Sequence, residues 1–484
     1  MRDLQRRTGI FTFTLLASLL FTGMVMGGMR PRASAAVQTD LSALFAVPTG
    51  EEMATVRADW VGRQPVLSAW TEVTSGTVLG HQMMIVSQRI DGELHYGAVR
   101  FPIGYDPARA YPVLIYNHKG NYLFLEAELA TLDAVIAGNC PINEFIYVMP
   151  SFRGEYIYSS QLGGTYTSQG EQSRLNYDVD DSMALLTDVL AHIPAADPAR
   201  VVSLGVSRGA GVSLLQGARD GRVRRLVDYF GPADLFLPSL QADATYWVDH
   251  NAPPPDAAND VVLERVMEIV WPYVNGSATL AESRQLLLQS SAVYFVGDMP
   301  PLQIHHGTAD EAVPIAHSYS LVGKLEALGA EAPPYTYYVY VGGDHNIVDL
   351  SGSGERVVSF VCELIPSTVA AAVRSTPVPV AAGDPLTLMA VVTNTNQVSL
   401  TAVVTVEVPA SVIPPTPVNW QITIPANETW TGSVTVQTAP DYLGPLTTHL
   451  VVVTREGPTA EADDENEALP FVMRTIFLPL VRRP

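Results

Sequence analysis

Solid apolar runs alternate with stretches of helical spacing from about residue 80 to residue 365. Runs without interleaved polar residues are typical of strands that are buried on both faces of a parallel sheet. The stretches between them place apolar residues on one side, as amphipathic helices do. We therefore predict an α/β fold over 80–367, with a mostly parallel sheet covered by helices on both faces.

The order of the predicted elements starts with a hairpin. The runs HQMMIVSQR and ELHYGAVRFP flank Asp91-Gly92, a dipeptide that favours a tight turn. Further strands are predicted at 112–117, 144–150, 200–207, 224–231, 300–307 and 336–343, and helices at 122–137, 178–193, 209–219, 315–329 and 352–364. Residues 37–79 have no clear period, so we interpret them as a lead-in, with strands beginning near Gly80.

The pattern changes after Pro366. From 376 to 475 the chain is rich in Val, Thr and Pro, and short alternating runs such as LTLMAVVTN and TWTGSVTVQT replace the helical spacing. This pattern predicts an all-β sandwich, and it resembles the bacterial immunoglobulin-like modules at the ends of secreted proteins. The acidic stretch 461–467 is interpreted as a solvated loop, with calcium binding as the alternative. Residues 476–484 form a tail.

The N-terminus has the pattern of an export signal. Arg2, Arg6 and Arg7 precede an apolar stretch at 9–28, and Ala33-Ser34-Ala35 is a small-x-small cleavage pattern. We predict a signal peptide over 1–35 and a secreted or extracytoplasmic chain without a stable membrane span after its removal. A signal anchor that stays in the membrane is the alternative.

The charge balance excludes some partners. The formal net charge is −21, and removal of residues 1–35 leaves 23 basic and 48 acidic residues, a net of −25. Such a surface repels nucleic acid and anionic lipid, so no nucleic-acid partner is expected. The two cysteines, Cys140 and Cys362, have no Cys/His spacing that indicates a metal site, and neither a metal nor another cofactor is predicted.

The first motif with catalytic chemistry is Gly205-Val206-Ser207-Arg208-Gly209, a G-x-S-x-G sequence. It lies between the predicted strand 200–204 and the predicted helix 209–219. A serine on such a strand-to-helix turn is exposed at the carboxyl edge of the sheet, where it can act as a nucleophile. The alternative is an ordinary turn serine.

The order of the later motifs supplies an acid and a base for this serine. Asp310 follows the predicted strand 300–306, and His345 follows the next strand in the loop Gly342-Gly343-Asp344-His345. Ser, then Asp, then His is the chain order of the triad in α/β-hydrolases, so we predict that these three residues form a catalytic triad. His345 would take the proton of Ser207, and Asp310 would orient His345 and stabilise its cation.

Each triad member has an alternative. Asp310 could instead cap the helix near 315, with Glu311 as a rival acid, and His345 could be an ordinary loop histidine. His305 and His306 are interpreted as structural residues at a strand end. For the oxyanion, we predict backbone N–H donors at Arg208 and at Lys119 or Gly120, in the loop after strand 112–117.

Residues 95–365 resemble the catalytic domain of the prolyl oligopeptidase family and its relatives similar to dienelactone hydrolase. The matching segments are PSFRGE (150–155), DVDDSMALL (178–186), DPARVVSLGVSRGAG (197–211), GPADLF (231–236), SAVYFVGDMPPLQIHHGTADEAVP (291–314) and YVGGDH (340–345). The resemblance implies an α/β-hydrolase fold and a serine peptidase, with Arg153 of PSFRGE in an ion pair or in contact with substrate.

Two departures from the family pattern leave a carboxylesterase without peptidase activity open. No β-propeller precedes the predicted domain, and the turn reads S-R-G-A-G where the peptidases commonly have S-Y-G-G. The expected substrate is therefore a small-molecule ester or a peptide. The segment 232–300 falls where lids are inserted, and we expect it to cover the site or to be a packed excursion. A rival of another class is a non-catalytic adhesion or carbohydrate-binding protein.

Two further expectations rest on the fold that the resemblance implies. It places Cys140 and Cys362 at the same edge of the sheet, which is compatible with a disulfide in an exported chain, and two buried free thiols are the alternative. The sandwich 376–475 is expected to be a spacer, or a surface that contacts the cell or a polysaccharide.

Overall fold

The computed structural model describes most of the chain from Asp40 onward. The described residues are 40–136, 145–173, 175–364, 369–378, 380–394, 400–408, 412–413, 417–425, 428–440, 444–454, 457–468 and 476–477. The predicted signal peptide and Cys140 lie outside these residues. Within the described ranges no helix is both long enough and apolar enough to cross a membrane.

Helices and strands alternate along most of the described chain up to Cys362. The helices are α1 (Gly50–Gly62), α2 (Leu125–Val135), α3 (Asn176–His192), α4 (Arg208–Arg219), α5 (Pro238–His250), α6 (Val261–Val274), α7 (Leu280–Gln289), α8 (Ala316–Leu328) and α9 (Ser353–Cys362). The first strands are β1 (Leu67–Val78), β2 (His81–Ile90), β3 (Glu93–Arg100), β4 (Tyr111–Asn117), β5 (Leu123–Phe124), β6 (Ile146–Pro150), β7 (Tyr156–Ser159), β8 (Gly164–Thr167), β9 (Ala196–Val206), β10 (Val223–Tyr229), β11 (Leu302–Gly307) and β12 (Tyr335–Tyr340).

Nine of these strands form the main sheet of the described chain, in the order β1-β2-β3-β6-β4-β9-β10-β11-β12. The pairs from β1 to β6 are antiparallel, and the pairs from β6 to β12 are parallel. The exchange of β4 and β6 in this order, behind an antiparallel start, is the topology of the α/β-hydrolase fold. The prediction of an α/β-hydrolase fold is therefore confirmed.

Both faces of the sheet are covered, as the solid apolar runs predict. On β10, Leu226 packs into the core on one face, and Val227 and Tyr229 pack into the core on the other. Every residue of β4 and of β6 is buried. Because both faces exclude water, each strand is fixed in register and its carboxyl end presents a loop at one edge of the sheet.

The expectation that strands begin near Gly80 is wrong. Residues 37–79 contain helix α1 and strand β1, which pairs with β2 at the edge of the sheet. Most of β1 is exposed or half-buried, so it lacks the solid apolar run of the inner strands. Arg284 of α7 anchors this segment, since it donates to the carboxylate of Glu52 and to the backbone carbonyls of Ala43, Leu44 and Ala46.

The C-terminal strands form the predicted sandwich. They are β13 (Val369–Thr376), β14 (Pro385–Asn394), β15 (Leu400–Glu407), β16 (Val412–Ile413), β17 (Val418–Ile424), β18 (Thr429–Thr438), β19 (Gly444–Thr454), β20 (Gly457–Ala468) and β21 (Ile476–Phe477). In the described residues they make two sheets, β13-β14-β18-β16 and β17-β15-β19-β20-β21. Alternate residues of β14 and β15, such as Leu388 and Val404, fill a shared core. The likeness to immunoglobulin modules stays a prediction.

The acidic stretch 461–467 lies within β20, so its interpretation as a loop is wrong. Its backbone pairs with β19 along the run from Pro445 to Val451. Charged residues are poor strand formers, and the composition alone therefore favoured a loop. In the described chain no group of three or more His, Cys, Asp or Glu side chains is arranged to hold a metal ion.

Candidate active site

Ser207 occupies a strained turn between β9 and α4. Its backbone has φ 57° and ψ −126°, a conformation that residues with a side chain rarely adopt. Its N–H donates to the carbonyl oxygen of Tyr229 at the end of β10, which holds the turn against the sheet. This packing offsets the strain, and the turn presents the Ser207 hydroxyl at the carboxyl edge of the sheet.

The two glycines of the motif are required by close backbone contacts. A Cβ atom on Gly205 would lie 2.1 Å from the carbonyl oxygen of Gly209, and one on Gly209 would lie 2.0 Å from that of Asn117. Any side chain at either position would therefore push α4 away from β4 and β9. The motif is needed for the approach of three backbone segments as well as for the serine.

Asp310 lies in the loop after β11 and is buried. Its Oδ1 accepts hydrogen bonds from the N–H groups of Ala312 (3.0 Å) and Val313 (2.9 Å), and its Oδ2 accepts from Nδ1 of His345 at 2.7 Å. Burial alone would raise the pKa of Asp310, but the hydrogen bonds from His306 and His345 and the charge of His345 outweigh it. The pKa therefore lies well below its usual range, and the carboxylate is ionised.

His345 joins the acid to the serine. Its Nε2 lies 2.8 Å from Oγ of Ser207, while its Nδ1 lies 2.7 Å from Asp310. A carboxylate only accepts, so Nδ1 carries the proton and Nε2 is free to accept the hydroxyl proton of Ser207. The imidazole also packs on the Phe230 ring, with centroids 4.5 Å apart, which fixes its plane. The structure therefore brings all three predicted triad residues together.

The loops that carry the acid and the base are tied to each other. The N–H of Ala309 donates to the carbonyl of Gly343 at 2.9 Å, and the N–H of Gly342 donates to Oγ1 of Thr308 at 2.9 Å. A Cβ on Gly307 would lie 2.2 Å from the Gly343 carbonyl oxygen, so this approach requires glycine. These contacts set the distance between Asp310 and His345 independently of their side chains.

The predicted oxyanion donors line the same cavity as Ser207 and His345: Lys119, Gly120 and Arg208. Arg208 is the first residue of α4, where the backbone N–H has no partner within the helix and the helix dipole favours negative charge. In the other loop, the carbonyl of Lys119 accepts from Nδ1 of the buried His118 at 3.0 Å. Burial lowers the pKa of His118 to about 4, so the ring is neutral.

The base of the Lys119 loop is held by a buried polar network. Asn117 donates from Nδ2 to Ser213 (2.9 Å) and Gln216 (3.2 Å), and its Oδ1 accepts from the hydroxyl of Ser182 at 2.8 Å. These groups belong to β4, α3 and α4, and all of them are buried. A network of this kind is costly to rearrange, so Asn117 holds the start of the loop after β4 in one position.

The side chain of Arg208 has a role that the sequence did not reveal. Its guanidinium donates to the carboxylates of Asp178 and Glu155 and, at 3.0 Å, to the carbonyl oxygen of Gly120. Both carboxylates are fully buried. They belong to the segments DVDDSMALL and PSFRGE, so this ion cluster joins two of the segments quoted above.

A cavity of about 500 Å³ opens above Ser207. Its walls combine the residues after β4 with the start of α6, represented by Val261 and Val262, and with Ala312 and Val313 from the acid loop. The segment 232–300 thus supplies one wall, while its inner side chains, such as Leu263 and Val270, are packed in the main core. Whether it moves as a lid stays a prediction.

Glu128 is the buried acid of the cavity wall. The hydroxyl of Tyr116 donates to its Oε2 at 2.5 Å. Burial raises the pKa of Glu128, although the Tyr116 hydrogen bond and the charge of Lys119 act in the opposite direction. Nothing in the sequence distinguishes this residue, because a glutamate in a helical stretch is usually solvated.

The other candidate residues are placed as follows. Glu311 accepts from Asn259 at 2.9 Å on the surface and does not contact His345. Arg153 pairs with Asp181 at 2.6 Å, the ion-pair alternative. His306 lies behind the triad, with its Nε2 3.4 Å from Oδ2 of Asp310. Cys362 is buried at the end of α9, and since Cys140 is outside the described residues, the disulfide stays a prediction.

The fold and these contacts together define a protein with the α/β-hydrolase fold and a Ser-His-Asp site at the carboxyl edge of its sheet. No protein-family model matches this sequence, and a search of curated proteins finds no similar one. Among solved structures, acetyl xylan esterase 1 from Thermoanaerobacterium sp. JW/SL YS485 is 17% identical, with a TM-score of 0.44, over 65% of this chain and 93% of that one.

Two further structures have similar scores. An acetyl xylan esterase from Paenibacillus sp. R4 is 16% identical, with a TM-score of 0.44, over 67% of this chain and 99% of that one. A puromycin-hydrolyzing peptidase from Mycobacterium tuberculosis is 16% identical, with a TM-score of 0.41, over 66% of this chain and 41% of that one. At these identities and TM-scores the likenesses carry no argument about activity or substrate.

Proposed function

We propose that this protein is a serine hydrolase that cleaves carboxylic ester or peptide bonds through an acyl-enzyme on Ser207. The observation that carries the proposal is the unbroken series of hydrogen bonds from Asp310 through His345 to Ser207. Ser207 and His345 line a cavity of about 500 Å³ that can admit a substrate. A catalytically inactive protein has no need to keep these hydrogen bonds intact, and their presence counts against a purely adhesive or carbohydrate-binding protein.

The reaction has two halves. His345 takes the proton of Ser207 as the serine oxygen attacks the substrate carbonyl, and it then gives that proton to the leaving alcohol or amine. Water repeats the sequence on the acyl-enzyme and releases the acid, with His345 again as base and then as acid. Asp310 keeps His345 in the productive tautomer and stabilises its cation in both halves.

The oxyanion of each tetrahedral intermediate would be bound by the N–H groups of Arg208 and Gly120. A trans peptide points its N–H away from its C=O. The carbonyl of Lys119 accepts from the buried ring of His118, so the N–H of Gly120 in the same peptide points the other way. Because Gly120 lines the cavity, we take this N–H as the second donor. Backbone donors held in this way are preorganised for developing negative charge.

Export and the role of the sandwich belong to the proposal as well. The signal-like residues 1–35 support secretion, and N-terminal sequencing of the exported chain should begin at Ala36. We take the sandwich as a spacer. The segment 376–475, expressed separately and mixed with insoluble polysaccharide, should not be retained, and retention would favour a binding role.

The substrate bond can be tested with a panel of chromogenic compounds. Wild type and Ser207→Ala are assayed with p-nitrophenyl acetate, butyrate and octanoate and with aminoacyl p-nitroanilides. Hydrolysis of at least one compound by wild type and its loss in Ser207→Ala is the expected result. Esters alone would indicate a carboxylesterase, and anilides a peptidase. Equal rates for the two proteins would contradict the proposal.

A further inference from the structure

A second surface lies beside the catalytic cavity on the small sheet β5-β7-β8. This sheet pairs Phe124 with Tyr158, Tyr158 with Thr165, and Tyr156 with Thr167. Side chains alternate between the two faces of a sheet, so these cross-strand partners share one face. The opposite face is turned inward, since Leu123 and Ile157 are fully buried.

The outward face carries four aromatic rings, which we call the aromatic strip: Tyr122, Phe124, Tyr156 and Tyr158. Tyr122 stacks on Tyr156 with centroids 4.2 Å apart and an interplanar angle of 15°. Phe124 contacts Tyr156 and Tyr158 edge-on, each at 6.2 Å. The rings thus order one another, so little conformational entropy is lost when they bind a ligand.

Three of the four rings in the aromatic strip are exposed, and that of Tyr156 is half-buried. Tyr122 is 39% exposed, Phe124 48% and Tyr158 40%. A single exposed apolar residue is common on protein surfaces, whereas a rigid and contiguous group of exposed aromatic side chains indicates a binding surface. Tyr122 and Phe124 also line the catalytic cavity, so the strip is continuous with the space above Ser207.

The polar groups of this face are hydroxyls. Three of the four rings are tyrosines, and the exposed Thr165 and Thr167 flank them on β8. The outward positions of β5, β7 and β8 therefore supply ring faces and neutral donors and acceptors, without a side-chain charge for an ionic ligand. This combination matches a sugar ring, which has an apolar C–H face and a rim of hydroxyls.

Other occupants fit this face less well. An anionic bilayer surface favours basic residues, whereas residues 36–484 carry a net charge of −25. An extended peptide binds to a free strand edge through its backbone, and β5 and β8 have only two and four residues for this. The occupant that the surface chemistry favours is a neutral oligosaccharide.

We propose that the aromatic strip binds the sugar part of an acylated neutral oligosaccharide, whose ester group then enters the cavity above Ser207. This inference rests on the proposed hydrolase function and names the class of its substrate. In the reaction, Ser207 attacks the ester carbonyl, the bond from the acyl carbon to the sugar oxygen breaks, and His345 protonates that oxygen. Water then releases the carboxylic acid from Ser207, and the deacylated sugar leaves the strip.

Binding can be measured without turnover. The full chain with Ser207→Ala is titrated calorimetrically with xylohexaose, cellohexaose and mannohexaose. At least one of them should bind, and adding Tyr156→Ala or Tyr158→Ala should weaken that binding by about tenfold or more, because ring contact is lost. Tyr158→Phe keeps the ring and should stay within about threefold. Tyr319→Ala, at a tyrosine of α8 that is 53% exposed, is the matched control and should bind as the parent does.

The outcomes separate this inference from the proposed function. No binding of any of the three sugars at millimolar concentration, or unchanged binding in both alanine variants with intact thermal unfolding, overturns the sugar assignment. Binding of an uncharged peptide that depends on Tyr158, without sugar binding, assigns the strip to a peptide and also overturns it. Fluorophosphonate labelling of wild type tests the proposed hydrolase function separately. Labelling without sugar binding would support the hydrolase function and overturn only the sugar-binding role of the aromatic strip.

Discussion

The guanidinium of Arg208 donates to the carbonyl oxygen of Gly120 across 3.0 Å, which links the residue after the nucleophile to the opposite loop of the site. The same guanidinium neutralises two buried carboxylates, Glu155 and Asp178. The spacing between the two proposed oxyanion donors therefore depends on a buried ion cluster and not on the loop alone.

Replacement of Arg208 should be strongly destabilising. Arg208→Met leaves two carboxylates buried without their counter-ion, and a loss of about 3–5 kcal/mol in the free energy of unfolding is expected. Arg57→Met is the matched control, because Arg57 pairs with Asp298 on the surface and is 46% exposed, so its loss should be below about 1 kcal/mol. Urea denaturation followed by circular dichroism measures both. Equal losses would contradict the buried-cluster account.

Asp310→Asn should remove activity while it leaves the fold intact. Asparagine can occupy the same volume, but its NH₂ group can turn towards His345 and favour the tautomer that cannot accept the serine proton. We expect kcat to fall about 10³-fold to 10⁴-fold with little change in KM on the best ester of the panel. Glu311→Gln, at the rival acid on the surface, should leave kcat within about twofold. A large loss of kcat in Glu311→Gln with little loss in Asp310→Asn would assign the role of the triad acid to Glu311.

His306 should act as a positioning residue for Asp310. Its Nε2 lies 2.8 Å from the carbonyl oxygen of Val313 and 3.4 Å from Asp310, and its Nδ1 lies 2.7 Å from the Ser318 hydroxyl. His306→Leu removes the N–H that faces the acid, so kcat should fall about 10-fold to 100-fold at nearly constant KM.

His306→Gln supplies the control for that prediction. A glutamine amide can place an N–H near the position of Nε2, so this variant should recover most of the rate. A loss of the same size in both variants, accompanied by equal changes in thermal stability, would mean that the histidine only fills space.

His305 should make the fold sensitive to acid. Burial lowers the pKa of His305 to about 3, and the charge of Arg356 acts in the same direction, whereas an unfolded histidine titrates near 6.5. Between these pH values the unfolded chain binds a proton that the folded chain refuses. Stability from this group is therefore full above about pH 6.5 and is lost as the pH falls towards 3.

The direction of this pH dependence can be measured by comparison with His305→Gln, because glutamine does not titrate. Between pH 6.5 and 4.5 the wild type should lose about 2–3 kcal/mol more than the variant in the free energy of unfolding, since the other ionisable groups contribute equally to both. Urea titrations at several pH values give this double difference. Parallel pH profiles for the two proteins would show that His305 is not buried in its neutral form.

The sequence was informative about the inner strands and the triad for a physical reason. Strands covered on both faces need unbroken apolar runs, and the nucleophile turn needs glycines where backbone segments touch, as Gly205 and Gly209 do. Ser207, Asp310 and His345 could be assigned because each follows such a strand. Chain order and strand ends together thus predicted which residues meet.

Edge elements and long-range pairs were not visible in the sequence. Strand β1 and the small sheet β5-β7-β8 have one exposed face, so their residues do not form apolar runs. The partners of Arg208 come from segments 30 and 53 residues away, and no local pattern indicates which carboxylate a buried arginine will meet. The position of Glu128 in the cavity wall was not visible in the sequence for the same reason, since only the folded chain shows that its helix faces the cavity.

The most direct test of the account is labelling of folded wild type with a fluorophosphonate probe, compared with Ser207→Ala and His345→Ala. We expect a stable adduct on Ser207, identified by mass spectrometry of the labelled peptide, with no labelling in Ser207→Ala and strongly slowed labelling in His345→Ala. An unlabelled wild type, or a label that persists in Ser207→Ala, would contradict the central claim that Asp310, His345 and Ser207 form a working nucleophile.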